Sequence, residues 1–107
     1  MNVERIKLLE KYIEEEPSNP FNRYALAMEY YDVDQGKALK LLQELRTAHS
    51  EYLPTYFKLA NLCWDFEKWN EAESVFESGI KLAEKQGDQK ALSELKSAHQ
   101  NFQFEKD

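Results

Sequence analysis

The sequence predicts an all-α fold of about six antiparallel helices, organised as a helical hairpin that is repeated. Apolar residues recur at steps of three and four along most of the chain, which is the spacing of one helix face. One hairpin pattern also occurs twice, because Leu26 and Leu59 are 33 residues apart and Ala38 and Ala72 are 34 residues apart. Only three Gly and three Pro interrupt the chain, which favours long helices.

The first helix is predicted within residues 1–16. Asn2 is suited to cap its start, and Pro17 disfavours helix in the residue before it and so marks the end. Its single apolar stripe predicts a helix with a neighbour on one side. The stripe consists of Val3, Ile6, Leu9 and Ile13.

The second helix is predicted from Pro20 to Tyr31 or Asp32, with Asn19 as its cap. It carries two apolar stripes, and such a helix either has neighbours on both faces or shows one face to a ligand. One stripe is Leu26, Ala27 and Tyr30, and the other is Phe21, Tyr24, Met28 and Tyr31.

The third helix is predicted from a cap at Asp34 to Thr47, and the fourth from Leu53 to Phe66. The fourth helix repeats the two-stripe pattern of the second. Tyr56, Leu59, Ala60 and Cys63 form one stripe, and Phe57, Asn61 and Trp64 form the other.

After a turn that ends at Trp69, the fifth helix is predicted from Asn70 to Gln86, with Gly87 as its C-terminal cap. Asp88 is suited to cap a last helix from Gln89 to Phe104. The apolar face predicted for that last helix consists of Leu92, Leu95, Ala98 and Phe102.

These residues resemble the tetratricopeptide repeat, whose pattern is Trp-x2-Leu-Gly-x2-Tyr, Ala-x3-Phe and Pro at a period of about 34 residues. The resemblance covers residues 17–84. Ser50 and Glu84 replace the closing prolines, and Arg23 stands at an aromatic position. The first copy is carried by Leu26, Ala27, Tyr30, Ala38 and Leu42, and the second by Tyr56, Leu59, Ala60, Cys63, Ala72 and Phe76.

The resemblance implies one domain over residues 1–107, folded as a right-handed α–α superhelix of helix pairs. Its parts are a half-repeat helix over 1–16, repeats over 20–50 and 53–86, and a capping helix over 89–105. The first helix of each pair would line a concave groove that binds a peptide or a helix of a partner protein. The groove positions are Tyr24, Met28, Tyr31, Phe57, Asn61, Trp64 and Asp65.

Members of the family that grip the acidic C-termini of chaperones place Lys and Asn at such positions. Only Asn61 matches that arrangement here, because Tyr24, Met28 and Phe57 stand where other polar contacts would be. Binding of a carboxylate terminus is therefore disfavoured.

Composition excludes other classes of function. The net charge of −6 disfavours nucleic-acid binding, which depends on basic groups that neutralise phosphates. No apolar run approaches the ~20 residues of a membrane span, and the N-terminus is charged where a signal peptide is apolar. The lone cysteine, Cys63, is compatible with a reducing compartment. We therefore expect a cytoplasmic protein.

No catalytic, cofactor-binding or metal-binding residues are predicted. His49 and His99 lack partners at metal spacing, Cys63 is interpreted as a small core residue, and the glycines form no phosphate loop. The expectation is a non-catalytic adaptor with a protein or peptide partner, as a monomer or weak homodimer. The alternative is a self-association module that uses the same surface, and for any single aromatic residue packing between helices stays open.

Overall fold

The structure is a computed structural model that describes residues 2–106. It contains six α-helices and no strand within that range. The helices are α1 (Val3–Glu15), α2 (Pro20–Tyr31), α3 (Gln35–Ala48), α4 (Pro54–Asp65), α5 (Trp69–Gln86) and α6 (Gln89–Lys106).

The predicted caps account for most of the helix boundaries. Four side-chain oxygens accept hydrogen bonds from backbone N–H groups of the first turn, which would otherwise lack partners. These bonds are Asn2 with Arg5 at 3.0 Å, Asn19 with Phe21 at 3.1 Å, Asp34 with Lys37 at 3.1 Å, and Asp88 with Ala91 at 3.0 Å. Gly87 ends α5 at a φ of 71°, a left-handed conformation that favours glycine.

Helix α5 begins one residue earlier than predicted. Trp69 is its first residue rather than part of the turn, because the N–H of Ala72 already bonds to the carbonyl of Lys68 at 2.9 Å. Helix α4 is one residue shorter than predicted at each end, whereas α3 continues to Ala48 and α6 to Lys106.

The chain divides into two compact units, Met1–Tyr52 and Leu53–Asp107. In the first unit α2 packs against both α1 and α3. Its core contains Ile6 and Leu9 of α1 and Ala25 and Leu26 of α2, with Leu41 of α3 packed against them.

In the second unit α5 packs against both α4 and α6, and α6 also contacts α4. Phe76 of α5 and Phe102 of α6 are completely buried, with ring centroids 5.5 Å apart. Leu95 and Phe102 of the predicted α6 face are buried, whereas Leu92 and Ala98 are only half-buried. Helices α4, α5 and α6 therefore share the core of the second unit. The division of the chain into repeats over 20–50 and 53–86 stays a prediction.

Candidate functional site

The predicted site residues of α2 lie along one side of that helix. Tyr24, Met28 and Tyr31 are spaced by four and three residues and are all half-buried. The other stripe includes Leu26 and Ala27, which are buried. Helix α2 thus packs one side into the core of the first unit and keeps a partly accessible row of large side chains on another.

Tyr24 has a neighbour that the sequence did not predict. The ring of Tyr52, in the segment between α3 and α4, meets the Tyr24 ring edge-on with centroids 5.8 Å apart and an interplanar angle of 63°. Burial and then the Tyr52 hydroxyl raise the pKa of Tyr24, and burial raises the pKa of Tyr52. This aromatic pair forms one end of the α2 stripe.

The predicted site residues of α4 repeat this arrangement within the second unit. Phe57, Asn61 and Trp64 have the same spacing and are half-buried, and Asp65 is the exposed last residue of the helix. The Asn61 side-chain Nδ2 donates to the carbonyl of Phe57 at 2.7 Å. We refer to Phe57, Asn61 and Trp64 as the α4 stripe, and to Tyr24, Met28 and Tyr31 as the α2 stripe.

Helix α6 contributes two residues beside Trp64. The Phe102 ring meets the indole at 79° with centroids 5.4 Å apart, and the indole Nε1–H donates to Oε1 of Glu105 at 3.2 Å. The sequence predicts Phe102 to lie on the apolar face of α6 and predicts no role for Glu105. These two residues are 38 and 41 positions from Trp64, so no local pattern could have predicted the contact.

A second polar cluster joins α5 to α6. Glu73 accepts hydrogen bonds from His99, from Gln103 at 3.5 Å and from Lys106 at 3.4 Å, and the His99 ring stacks on Phe76. Burial raises the pKa of Glu73, but these hydrogen bonds outweigh burial and hold that pKa below its usual value. His99 therefore has a carboxylate partner that its sequence neighbours did not reveal.

Two further pairs of charged or titratable residues lie apart from these clusters, Arg5 with Glu29 at 2.6 Å and His49 with Glu51 at 3.8 Å. Cys63 is completely buried, which confirms its interpretation as a core residue. Among residues 2–106 no group of His, Cys, Asp and Glu is arranged to hold a metal ion. No helix in that range has the length and apolar character needed to cross a bilayer.

Comparison with solved structures decides the family. A crystal structure of a tetratricopeptide repeat domain protein from Salinibacter ruber is 35% identical, with a TM-score of 0.76 over 79% of this chain and 97% of that one. The chain belongs to the tetratricopeptide repeat family. A solution NMR structure of a tetratricopeptide repeat domain protein from the same organism is 37% identical, with a TM-score of 0.74 over 80% of this chain and 88% of that one.

A third solved structure shows the fold alone. The solution structure of a Bordetella parapertussis protein is 21% identical, with a TM-score of 0.78 over 98% of this chain and 90% of that one. No protein-family model and no curated protein matches the chain. The tetratricopeptide repeat resemblance and the all-α, α–α superhelical fold class predicted from the sequence are confirmed.

Proposed function

We propose that this tetratricopeptide repeat chain is a non-catalytic adaptor that binds a peptide or a helix of a partner protein on its α2 and α4 stripes. One observation carries the proposal. Two helices 33 residues apart in register each keep a row of half-buried side chains, although most of their other stripe is buried; only Tyr30 of those other stripes is half-buried. Repeat proteins use side chains from successive repeats to bind other proteins.

The composition of the stripes supports a protein ligand. Trp, Tyr and Met are common anchors in protein interfaces, because they supply large contact areas or adapt to irregular surfaces. The stripes contain Tyr24, Met28, Tyr31, Phe57 and Trp64, and the exposed Asp65 borders the second one. They contain no Lys or Arg, which argues against a terminal carboxylate as the ligand.

The net charge and the cysteine content support the proposed class of partner and the proposed location. The net charge of −6 disfavours nucleic acid as the partner. Cys63 is the one cysteine of the sequence, so no intrachain disulfide can form; this is compatible with a reducing compartment, and on that ground we propose a cytoplasmic location.

Selection from a random peptide library displayed on phage, with the full chain as bait, tests the proposal. Selected peptides are then measured by isothermal titration against wild type, Phe57→Ala and Phe66→Ala. Phe66 is the matched control, because it follows α4, is 40% exposed and lies off the stripe. We expect Phe57→Ala to weaken binding about 10-fold or more and Phe66→Ala to change it less than about 2-fold.

The affinities of the peptides must be measured with variants that are folded. Circular dichroism melts of both variants therefore accompany the titration, which is run well below the lower melting temperature. Equal losses in the two variants, or peptides whose binding does not depend on Phe57, would contradict an interaction face on α4.

Self-association through the same surface is the second candidate. The observation that favours it is the exposed Phe21, 56% accessible, which extends the α2 stripe by one further large side chain. Sedimentation equilibrium across a wide concentration range separates the two functions. A dimer that dissociates in Phe57→Ala but persists in Phe66→Ala supports self-association, whereas a monomer at all concentrations excludes it.

A further inference from the structure

The polar groups along the α4 stripe present mainly hydrogen-bond acceptors. The only N–H of the Trp64 side chain donates to Glu105, and one N–H of the Asn61 amide donates to the Phe57 carbonyl. The remaining groups include the carbonyl oxygen of Asn61, the second carboxylate oxygen of Glu105 and the carboxylate of Asp65. A ligand that meets this face therefore finds more acceptors than donors.

Glu105 carries a charge that the protein does not balance locally. It is exposed, and no described residue forms an ion pair with it. Its neighbour Lys106 points its Nζ to Glu73 at 3.4 Å and lies 5.7 Å from the centroid of the Phe102 ring. The nearest lysine in sequence thus forms its ion pair with Glu73, whereas the Glu105 carboxylate accepts a hydrogen bond from the Trp64 indole.

We propose that the α4 stripe together with Glu105 docks a basic amphipathic segment of a partner protein, in which an Arg or Lys lies next to apolar residues. This inference rests on the proposed function and adds the charge of the ligand. The cation would bind the free oxygen of Glu105 beside the electron-rich Trp64 ring, where a charge-assisted hydrogen bond and a cation–π contact act together. Apolar side chains of the partner segment, next to that cation, would pack against Phe57.

The same groups select against other ligands. An acidic segment would place its carboxylates against Glu105 and Asp65, and like charges at an interface penalise binding. The net charge of −6 also raises the encounter rate with cationic partners at low salt. Charge complementarity therefore favours a basic occupant over acidic or neutral ones of similar hydrophobicity.

The peptides selected on the full chain provide the test. We expect those that depend on Phe57 to contain Arg or Lys beside aliphatic or aromatic residues. One such peptide is then synthesised in two forms, with Arg or with Gln at the basic position. Both forms are titrated against wild type, Glu105→Gln and Glu77→Gln.

Glu105→Gln and Glu77→Gln each remove one negative charge and keep nearly the same side-chain shape. Glu105→Gln keeps an amide oxygen that can accept from Trp64, so the contact between α4 and α6 is retained. Glu77 is exposed on α5, and Glu77→Gln removes the same single charge from a different helix. We expect Glu105→Gln to weaken the Arg peptide about 3- to 10-fold and the Gln peptide less than about 2-fold, with Glu77→Gln near wild type for both.

The outcomes separate this inference from the proposed function. If neutral or acidic peptides bind and lose affinity in Phe57→Ala, the adaptor stands and the basic ligand is wrong. If no selected peptide depends on Phe57, both fall. Equal losses of the Arg peptide in Glu105→Gln and Glu77→Gln would mean general attraction between opposite charges and would overturn the assignment to Glu105.

Discussion

A Cβ atom added to Gly79 of α5 would lie 2.8 Å from the Cβ of Tyr56 on α4, closer than real Cβ atoms approach other heavy atoms. The same added atom would lie 3.3 Å from both methyl groups of Leu95 on α6. Of the three glycines, Gly79 therefore has the least space for a side chain, because α4 and α6 both pack closely against α5 at this position.

Gly79→Ala is expected to lower the free energy of unfolding by up to about 2 kcal/mol. Alanine favours helix over glycine by about 1 kcal/mol, but overpacking at a rigid Cβ contact costs about 1–3 kcal/mol. Gly36→Ala is the control, since Gly36 is exposed in α3 and its nearest neighbour would be 3.7 Å away. That change should raise the free energy of unfolding by about 0.5–1 kcal/mol.

Urea unfolding of both variants checks these opposite signs. If Gly79→Ala is as stable as Gly36→Ala, the close approach of α4 and α5 at this position is wrong.

Trp64→Ala is expected to lower the free energy of unfolding by about 1–3 kcal/mol, because it removes the edge-to-face contact with Phe102 and leaves a gap between α4 and α6. Trp64→Phe keeps an aromatic ring but loses the hydrogen bond to Glu105 and some packing area, so it should cost about 1 kcal/mol, less than Trp64→Ala. Thermal melts and hydrogen exchange of α6 amides measure both effects. Wild-type exchange rates in Trp64→Ala would contradict a stabilising contact between Trp64 and α6.

Glu73 is expected to make stability depend on acid pH. Its pKa in the folded protein lies below the unfolded value of about 4.3, so the unfolded chain takes up the proton first as the pH falls. The stability that Glu73 contributes is therefore fully present above the unfolded pKa and is lost as the pH falls through the folded pKa. Glu73→Gln should cost about 1 kcal/mol at pH 7, and the cost should shrink between about pH 5 and pH 3.

Urea unfolding of wild type and Glu73→Gln at several pH values checks this, with Glu77→Gln as the control on the same helix. A cost of Glu73→Gln that is the same at pH 3 and pH 7 would show that the charged form of Glu73 gains nothing from His99, Gln103 and Lys106.

Helix boundaries and stripes could be predicted because they depend on neighbours close in sequence. Asn19 and Asp34 bond to N–H groups two and three residues later, and Gly87 adopts the left-handed conformation that ends α5. The two stripes of α2 and α4 follow from a period of 3.6 residues alone. The predicted start of α5 lies one residue after Trp69, its true first residue, because α5 has no side-chain cap to mark its start.

The sequence by itself determined the helices, their apolar stripes and the family, since these depend on local hydrogen bonds and on a repeat visible along the chain. The tertiary structure decided which side chains meet across helices. Glu105 reaches Trp64 over 41 residues and His99 reaches Glu73 over 26. Such pairs depend on how helix axes cross and on rotamers at the contact, and a periodic pattern within one helix carries no information about either.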